Sequence, residues 1–296
     1  MGCKNLAKKH IVLSMLEKLT LFGLSGLLIL SLFYSQGLAQ NQAPQQSASD
    51  RGDRNWGDNK RTLSWRNIEP GYDVARYALS GEQYILRSEV LLLRFDPKKY
   101  RFNNVLAREL GEKRSDIQSL ANLKSSLAAI NTSFFDEFEN PLGLIFEDGK
   151  QLNRMHEGGS LLTGIFQLRG DSPSIIHRNR FKPSNVTLAV QAGPRLIEDG
   201  KALKLKSPNS SSRRSGIAVT KDGKVIIYAT LLRFPGASLS QIQEMLLDKG
   251  LGVKDALNFD GGGSSQLFIQ KNTALEHDTV VSGGDTVPVA LVINKK

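Results

Sequence analysis

Three Asp-Gly pairs constrain this chain more than any other feature. Asp148-Gly149, Asp199-Gly200 and Asp222-Gly223 each stand between short apolar runs, and each is followed by Lys. An Asp-Gly pair suits the tight turn whose handedness matches the twist of two adjacent antiparallel strands, because its central positions take positive φ. Three such hairpins predict a predominantly antiparallel sheet system. Further strands are expected at 84–86, at 90–95, where Asp96-Pro97 closes the run, at 187–198 with an interruption at Gly193-Pro194, and in the final VPVALVIN. Helical periodicity is confined to two stretches. Ser115 with Gln118 reads as a capping box ahead of Ile117, Leu120, Ala121, Leu127 and Ala128; Ser238 with Gln241 precedes Leu239, Ile242, Met245 and Leu246, with a stop at Gly250. The expected fold class is α+β, mainly antiparallel mixed sheets with a few packed helices in a single catalytic-type domain over residues 71–296.

The preceding residues read differently. Lys4, Lys8, Lys9 and Lys18 lead into the apolar LTLFGLSGLLILSLFY, and Gly37, Leu38 and Ala39 supply a small-x-small cleavage pattern. Residues 1–39 are therefore expected to be a signal peptide or an N-terminal anchor, which implies export to the periplasm or the exterior, with membrane tethering if the segment stays uncleaved. Residues 40–70 are polar and poor in aliphatics, as a flexible leader would be. The only cysteine, Cys3, lies ahead of the apolar stretch, so the remainder has neither disulfide nor thiolate chemistry. A net charge of +10 calls for anionic partners. Lys and Arg form no basic block and no nucleic-acid-binding motif accompanies them, so export leaves anionic glycan or membrane surface rather than nucleic acid.

The second constraint is ALNFDGGGSSQLF at residues 256–268. Three consecutive glycines give up side-chain packing, which suits positive φ or the close approach of another group. Asp260 stands at the mouth of the turn. The amides of Gly261, Gly262, Gly263 and Ser264 are placed to form a concave nest for an anionic oxygen, or else Asp260 simply accepts from them in a tight turn. His156 and His177 stand alone without a motif partner, so no metal site is read from them. No cofactor is required by the sequence, although Asp and backbone carbonyls suffice for a structural divalent cation such as calcium.

The order INTSFFD, NPLGLIFEDGK, VQAGPRLIEDGK, RRSGIAVTKDGKVIIY, a capped helix and ALNFDGGGSS resembles the phosphodiester glycosidase family. That family includes the lysosomal uncovering enzyme, which removes N-acetylglucosamine from a sugar-phosphate-sugar diester. The resemblance implies cleavage between an anomeric carbon and a phosphate oxygen, through a state that needs a carboxylate near the sugar and cationic or donor groups around the phosphate. It implies Asp260 as acid, base or charge stabiliser, Asp136 as its partner and Asn131 as the residue orienting a sugar hydroxyl. On the phosphate side it implies Arg214, the amides of Gly261, Gly262 and Gly263, and the hydroxyls of Ser264 and Ser265. Arg195, after Gly-Pro, is a second-tier candidate that reads more simply as a solvated turn residue.

Two departures stand out. Asn131-Thr132-Ser133-Phe134-Phe135 replaces the family's Asn-Gly-Gly-Phe-Phe, which implies altered specificity. Leu231-Leu232-Arg233-Phe234 stands where an Asp-Gly pair is usual, which keeps open a non-catalytic binder of anionic glycans. The partner in either case is a glycosyl phosphodiester or an anionic glycan, in a cell-envelope polymer if the chain is exported.

Overall fold

The computed structural model describes residues 63–79, 88–231, 236–272, 278–281 and 283–296. The expected signal peptide or anchor, the leader as far as residue 62, the run at 84–86 and most of the Leu231–Phe234 departure lie outside the described residues. Among the described residues no helix is long and apolar enough to cross a membrane.

Among the described residues eighteen strands form three sheets, and every strand pairing is antiparallel. The largest sheet runs, in spatial order, β1 (Arg66–Glu69), β2 (Tyr72–Ala78), β3 (Glu89–Phe95), β14 (Val225–Thr230), β13 (Ser215–Thr220), β15 (Val253–Asn258), β11 (Arg195–Glu198) and β12 (Lys201–Ala202). A second sheet runs β7 (Lys150–Asn153), β6 (Ile145–Glu147), β10 (Leu188–Ala192), β8 (Gly164–Arg169) and β9 (Ser172–His177). The third runs β17 (Thr279–Val281), β16 (Leu267–Ile269), β5 (Ala128–Asn131), β18 (Val289–Lys295) and β4 (Tyr100–Leu106). One apolar core joins all three, with Leu93, Ile217 and Leu257 of the first against Phe166 and Val190 of the second and Ile130 and Leu291 of the third.

The fold is more strand-dominated than the α+β expectation. The two α-helices among the described residues are short, α1 (Ile117–Asn122) and α2 (Leu239–Leu246). The cap of α1 is Asp116 rather than Ser115: Asp116 Oδ1 accepts from the Ser119 amide at 2.9 Å, while Ser115 pairs its backbone with Val287. A carboxylate directly ahead of the helix is the better acceptor, and it leaves Ser115 free to extend a bridge. Ala128 opens β5 and belongs to no helix, because burial between β16 and β18 decides its conformation. The second helix has the expected capping box of Ser238 and Gln241, and Ile242, Met245 and Leu246 are buried on the largest sheet. That sheet also takes in residues counted with the leader, since β1 begins at Arg66, and Leu63 and Trp65 pack on the core beneath α2.

All three Asp-Gly pairs turn hairpins. Asp148 and Gly149 have φ of 46° and 77°, and Asp199 and Gly200 have 47° and 73°, the tight two-residue form. The third hairpin is longer, with positive φ at Gly223 but not at Asp222, and it closes through the Thr220 amide on the Lys224 carbonyl at 2.9 Å.

Two of the places where the chain crosses between sheets are glycine turns that touch each other. From β10 to β11 it leaves the second sheet for the first through Gly193 and a cis Pro194. A Cβ on Gly193 would lie 1.7 Å from the Leu161 carbonyl oxygen, so only glycine fits. From β15 to β16 it leaves the first sheet for the third through Gly261 to Ser265. Asn258 ties the crossings together: its amide donates to the Pro194 carbonyl at 3.1 Å and its Nδ2 to the Gly193 carbonyl at 3.2 Å.

Beside the first crossing, the fully buried Gln191 clasps three segments. Its Oε1 accepts from the amides of Leu144 and His156, both at 2.9 Å, and its Nε2 donates to the carbonyls of His156 and Leu162, both at 2.7 Å. Gln191→Leu keeps the volume but leaves the Leu144 and His156 amides and the His156 carbonyl without their partner, while the Leu162 carbonyl keeps its bond from Arg178 Nη1 at 3.1 Å. At roughly 1–3 kcal/mol for a buried unsatisfied group, the variant is expected to lose about 3 kcal/mol or more, read from urea unfolding midpoints at constant m.

Candidate functional site

The register of β13 against β15 decides what meets at the second crossing. Gly216 pairs with Asn258 and Ile217 with Leu257. Continuing that antiparallel register two residues past the ladder sets position 214 opposite position 260, at the same end of the sheet. The Arg214 backbone is fixed by exchange with Thr230: its amide donates to Thr230 Oγ1 at 3.0 Å, and its carbonyl accepts from the Thr230 amide at 2.9 Å. The side chain then reaches along the sheet end. Nε donates to the Ala237 carbonyl at 3.1 Å and Nη2 to the Ser210 carbonyl at 2.6 Å. A Cβ built on Gly261 would lie 3.6 Å from Nη1, so the guanidinium faces the glycine turn. Carbonyl oxygens orient it without cancelling its charge. Burial, offset by the nearby Tyr228 hydroxyl, pulls its pKa below the ordinary arginine value, yet a guanidinium stays protonated under such a shift.

Asp260 is half-buried. Burial, together with the charge of Asp285, pushes its pKa above the usual aspartate range, against the lowering influence of the nearby Ser264 hydroxyl and Gly261 amide. Asp285 is the residue that sequence reasoning missed. Its carboxylate lies flat over Gly263, where an added Cβ would sit 1.9 Å from Oδ2, and its amide donates to the Gly263 carbonyl at 3.1 Å. Glycine is thus required at 263 because a carboxylate rests on it. A signal existed in the sequence: Gly283-Gly284-Asp285 is a second glycine-aspartate cluster directly before the last strand.

Asn131, buried at the end of β5, serves a different role from the one expected. Its Nδ2 donates to the Asp260 carbonyl at 2.8 Å, and its Oδ1 accepts from the Gln266 amide at 3.0 Å. Both polar ends are engaged inside the protein, so Asn131 clasps the two ends of the turn instead of meeting a sugar hydroxyl. Ser215 Oγ adds a second donor to the Asp260 carbonyl at 3.0 Å, and the Asp260 amide donates to Thr132 at 3.1 Å.

The amide cradle expected of the turn is partly closed. The amides of Gly261 and Gly263 make no backbone bond among the described residues, while Gly262 donates to Arg213, Ser264 to Gly261 and Ser265 to Gly262. A short 3-10 turn over Gly262–Ser264 causes this by folding the amides back onto the turn's own carbonyls. The Ser265 side chain is sealed from solvent with its hydroxyl unpartnered.

Two other candidates stand elsewhere. Asp136 is half-buried and accepts from the amides of Phe138 and Asn140 and from Asn140 Nδ2, bonds that hold its pKa below the usual aspartate range and account for it as the acceptor of its own loop. Arg195 is no solvated turn residue. It belongs to β11 with its side chain 14% exposed, and Nη1 pairs with Glu198 Oε1 at 2.7 Å. The chain at this end of the sheet thus brings together Arg214, Asp260, Ser264 and Asp285, with Asn131 beneath them. No group of three or more His, Cys, Asp or Glu side chains is placed to hold a metal ion among the described residues.

The sequence profile of the phosphodiester glycosidase family matches residues 124–294. Comparison with curated proteins gives no match. Among solved structures, the fold is similar to the zebrafish N-acetylglucosamine-1-phosphodiester alpha-N-acetylglucosaminidase catalytic domain auto-inhibited by its pro-peptide. The identity is 17%, the TM-score is 0.58, and the match covers 78% of this chain and 86% of that one. It is also similar to a hypothetical protein from Synechocystis, at 16% identity and a TM-score of 0.53, covering 79% of this chain and 64% of that one. At such identities these likenesses are of fold.

The buried aspartate makes stability depend on pH in a definite direction. A carboxyl whose folded pKa exceeds its unfolded value has its full stability below the unfolded pKa, about 3.9, and loses it as pH rises through the folded pKa. Asp260→Asn removes that loss. Its unfolding midpoint, compared with that of the parent chain, is expected to improve from pH 4 to pH 7; a difference independent of pH would contradict the burial of this charge.

Proposed function

Because the chain belongs to the phosphodiester glycosidase family, we propose that it hydrolyses a glycosyl phosphodiester between the anomeric carbon and the phosphate oxygen. The observation that carries this reading is the unneutralised Arg214 guanidinium set opposite two neighbouring carboxylates, Asp260 and Asp285, across one glycine turn. Glycosidic cleavage needs those two kinds of charge, one for the departing phosphate and one for the positive character that grows on the sugar ring.

In this mechanism Arg214 holds the phosphate by its free Nη1 side and takes up the negative charge that the leaving group gains as the C–O bond breaks. The two carboxylates divide their roles by environment, Asp285 being the exposed one and Asp260 the more enclosed. Asp285 faces the sugar and accepts the proton of the attacking water. Asp260, the enclosed member, keeps its proton longer and hands it to the departing phosphate oxygen. Asn131, bonded to the Asp260 carbonyl and the Gln266 amide, fixes the turn that carries the carboxyl. Phosphate is already a good leaving group, so a weak acid suffices. The Lys-flanked apolar stretch within residues 1–39 supports export, which would place the substrate in a cell-envelope polymer.

Asp260→Asn and Asp285→Asn are each expected to lower kcat by on the order of 10²–10⁴-fold, the usual worth of a positioned acid or base. Asp136→Asn is expected to change it little. Release of reducing sugar and of phosphate monoester measures this, and hydrolysis in ¹⁸O-labelled water should put the label in the sugar. Label in the phosphate would indicate a phosphoesterase, and binding of the diester by the unaltered chain without any turnover would indicate a non-catalytic glycan binder.

A further inference from the structure

A cavity of about 550 Å³ opens between the loop ahead of β8, the start of β11 and the segment after β12. Arg195, His177, Lys204 and Lys206 line it together with the apolar Leu161 and Leu239, and no carboxylate does. Neither Lys204 nor Lys206 takes part in the ion pairs among the described residues. Arg195 gives one nitrogen to Glu198, but its Nε is buried without a hydrogen-bond partner. The field within the cavity also acts on His177. Burial, then the guanidinium groups of Arg195, Arg178 and Arg180, hold its pKa below the ordinary histidine value, and its Nδ1 accepts from the Asn179 amide at 3.2 Å. A neutral imidazole of that tautomer offers Nε2–H as a donor. The cavity therefore presents two lysines outside the ion pairs of the described residues, an arginine that Glu198 engages through one nitrogen only, and a neutral donor, on a scale that suits one sugar-phosphate unit.

Its walls are continuous with the site. The segment that carries Lys204 and Lys206 runs on to Ser210, whose carbonyl accepts from Arg214 Nη2 at 2.6 Å. Leu239 begins α2 two residues beyond Ala237, whose carbonyl accepts from Arg214 Nε at 3.1 Å. The same two pieces of chain that orient the phosphate-facing arginine thus form the sides of the cavity. The first crossing, at Pro194, supplies its floor.

The geometry points to a second anion subsite, in which a further phosphate of the same substrate is held by Arg195, Lys204 and Lys206 while Leu161 and Leu239 meet a sugar face. This rests on the phosphodiester reading and deepens it: the substrate class is a chain of repeating glycosyl phosphates, cut at the unit that reaches the Asp260 turn. An isolated diester would fill only the Arg214 side.

The test uses the full chain and exposed residues whose removal leaves the core untouched. Lys204→Ala/Lys206→Ala is expected to weaken calorimetric binding of inorganic tripolyphosphate about tenfold, the effect of losing two partly screened charge contacts. It is also expected to raise KM for a three-unit glycosyl phosphate oligomer at least tenfold more than KM for the methyl glycosyl phosphate of the same sugar. Unchanged tripolyphosphate affinity overturns the subsite, as does an equal change in KM for both substrates. If the unaltered chain turns over neither substrate, the proposed hydrolysis fails, and the tripolyphosphate titration still decides the subsite on its own.

Discussion

The ladder between β13 and β15 is the constraint on which the site depends. Its register leaves residue 214 and residue 260 facing each other just beyond the last paired positions. A slip of one residue would turn Arg214 to the other face of the sheet, since side chains alternate along a strand. Packing at Gly216 guards against it. A Cβ there would stand 2.3 Å from the Tyr228 hydroxyl and 2.5 Å from the Leu257 carbonyl, so the strands approach each other as closely as they do only because that residue has no side chain. Tyr228 is itself wholly buried, and its size leaves no slack for another registration.

Around this ladder, uncharged amides hold the chain crossings together. Asn131 bonds both ends of the turn after β15. Gln191 fills all four of its positions beside the crossing at Gly193. Gln266 accepts from the Ile117 amide at 3.1 Å and donates to the Asp285 carbonyl at 2.6 Å, tying the start of α1 to the second carboxylate. Amide side chains suit this work because each offers donor and acceptor without charge. The fixed charges at the turn consequently keep their fields for a guest, and the cost of burying Asp260 is met by a scaffold that would be hard to rearrange one bond at a time.

The antiparallel plan was legible because hairpins are local. Asp148-Gly149 and Asp199-Gly200 carry their turn geometry within two residues, and Ser238 with Gln241 carries a helix start within four. The cap of α1 was misplaced for an equally local reason: Asp116 and Ser115 are adjacent acceptors, and only the bridge from Ser115 to Val287 chooses between them. Arg195 was misjudged because its exposure depends on a sheet crossing that brings β11 beside β15.

The site divides along the same line. Sequence alone determined that Asp260 begins a glycine turn at the end of an apolar strand and that Arg214 stands at the start of another strand, because both facts concern neighbours along the chain. Tertiary structure alone decided which carboxylate accompanies Asp260, since Asp136 binds its own loop while Asp285 arrives from another turn. It also decided that the amides of Gly262, Ser264 and Ser265 are spent inside the protein and that Asn131 is a clasp. Partners of that kind are chosen by three-dimensional register and by competition for hydrogen bonds, and neither is written in the spacing of residues along the polypeptide.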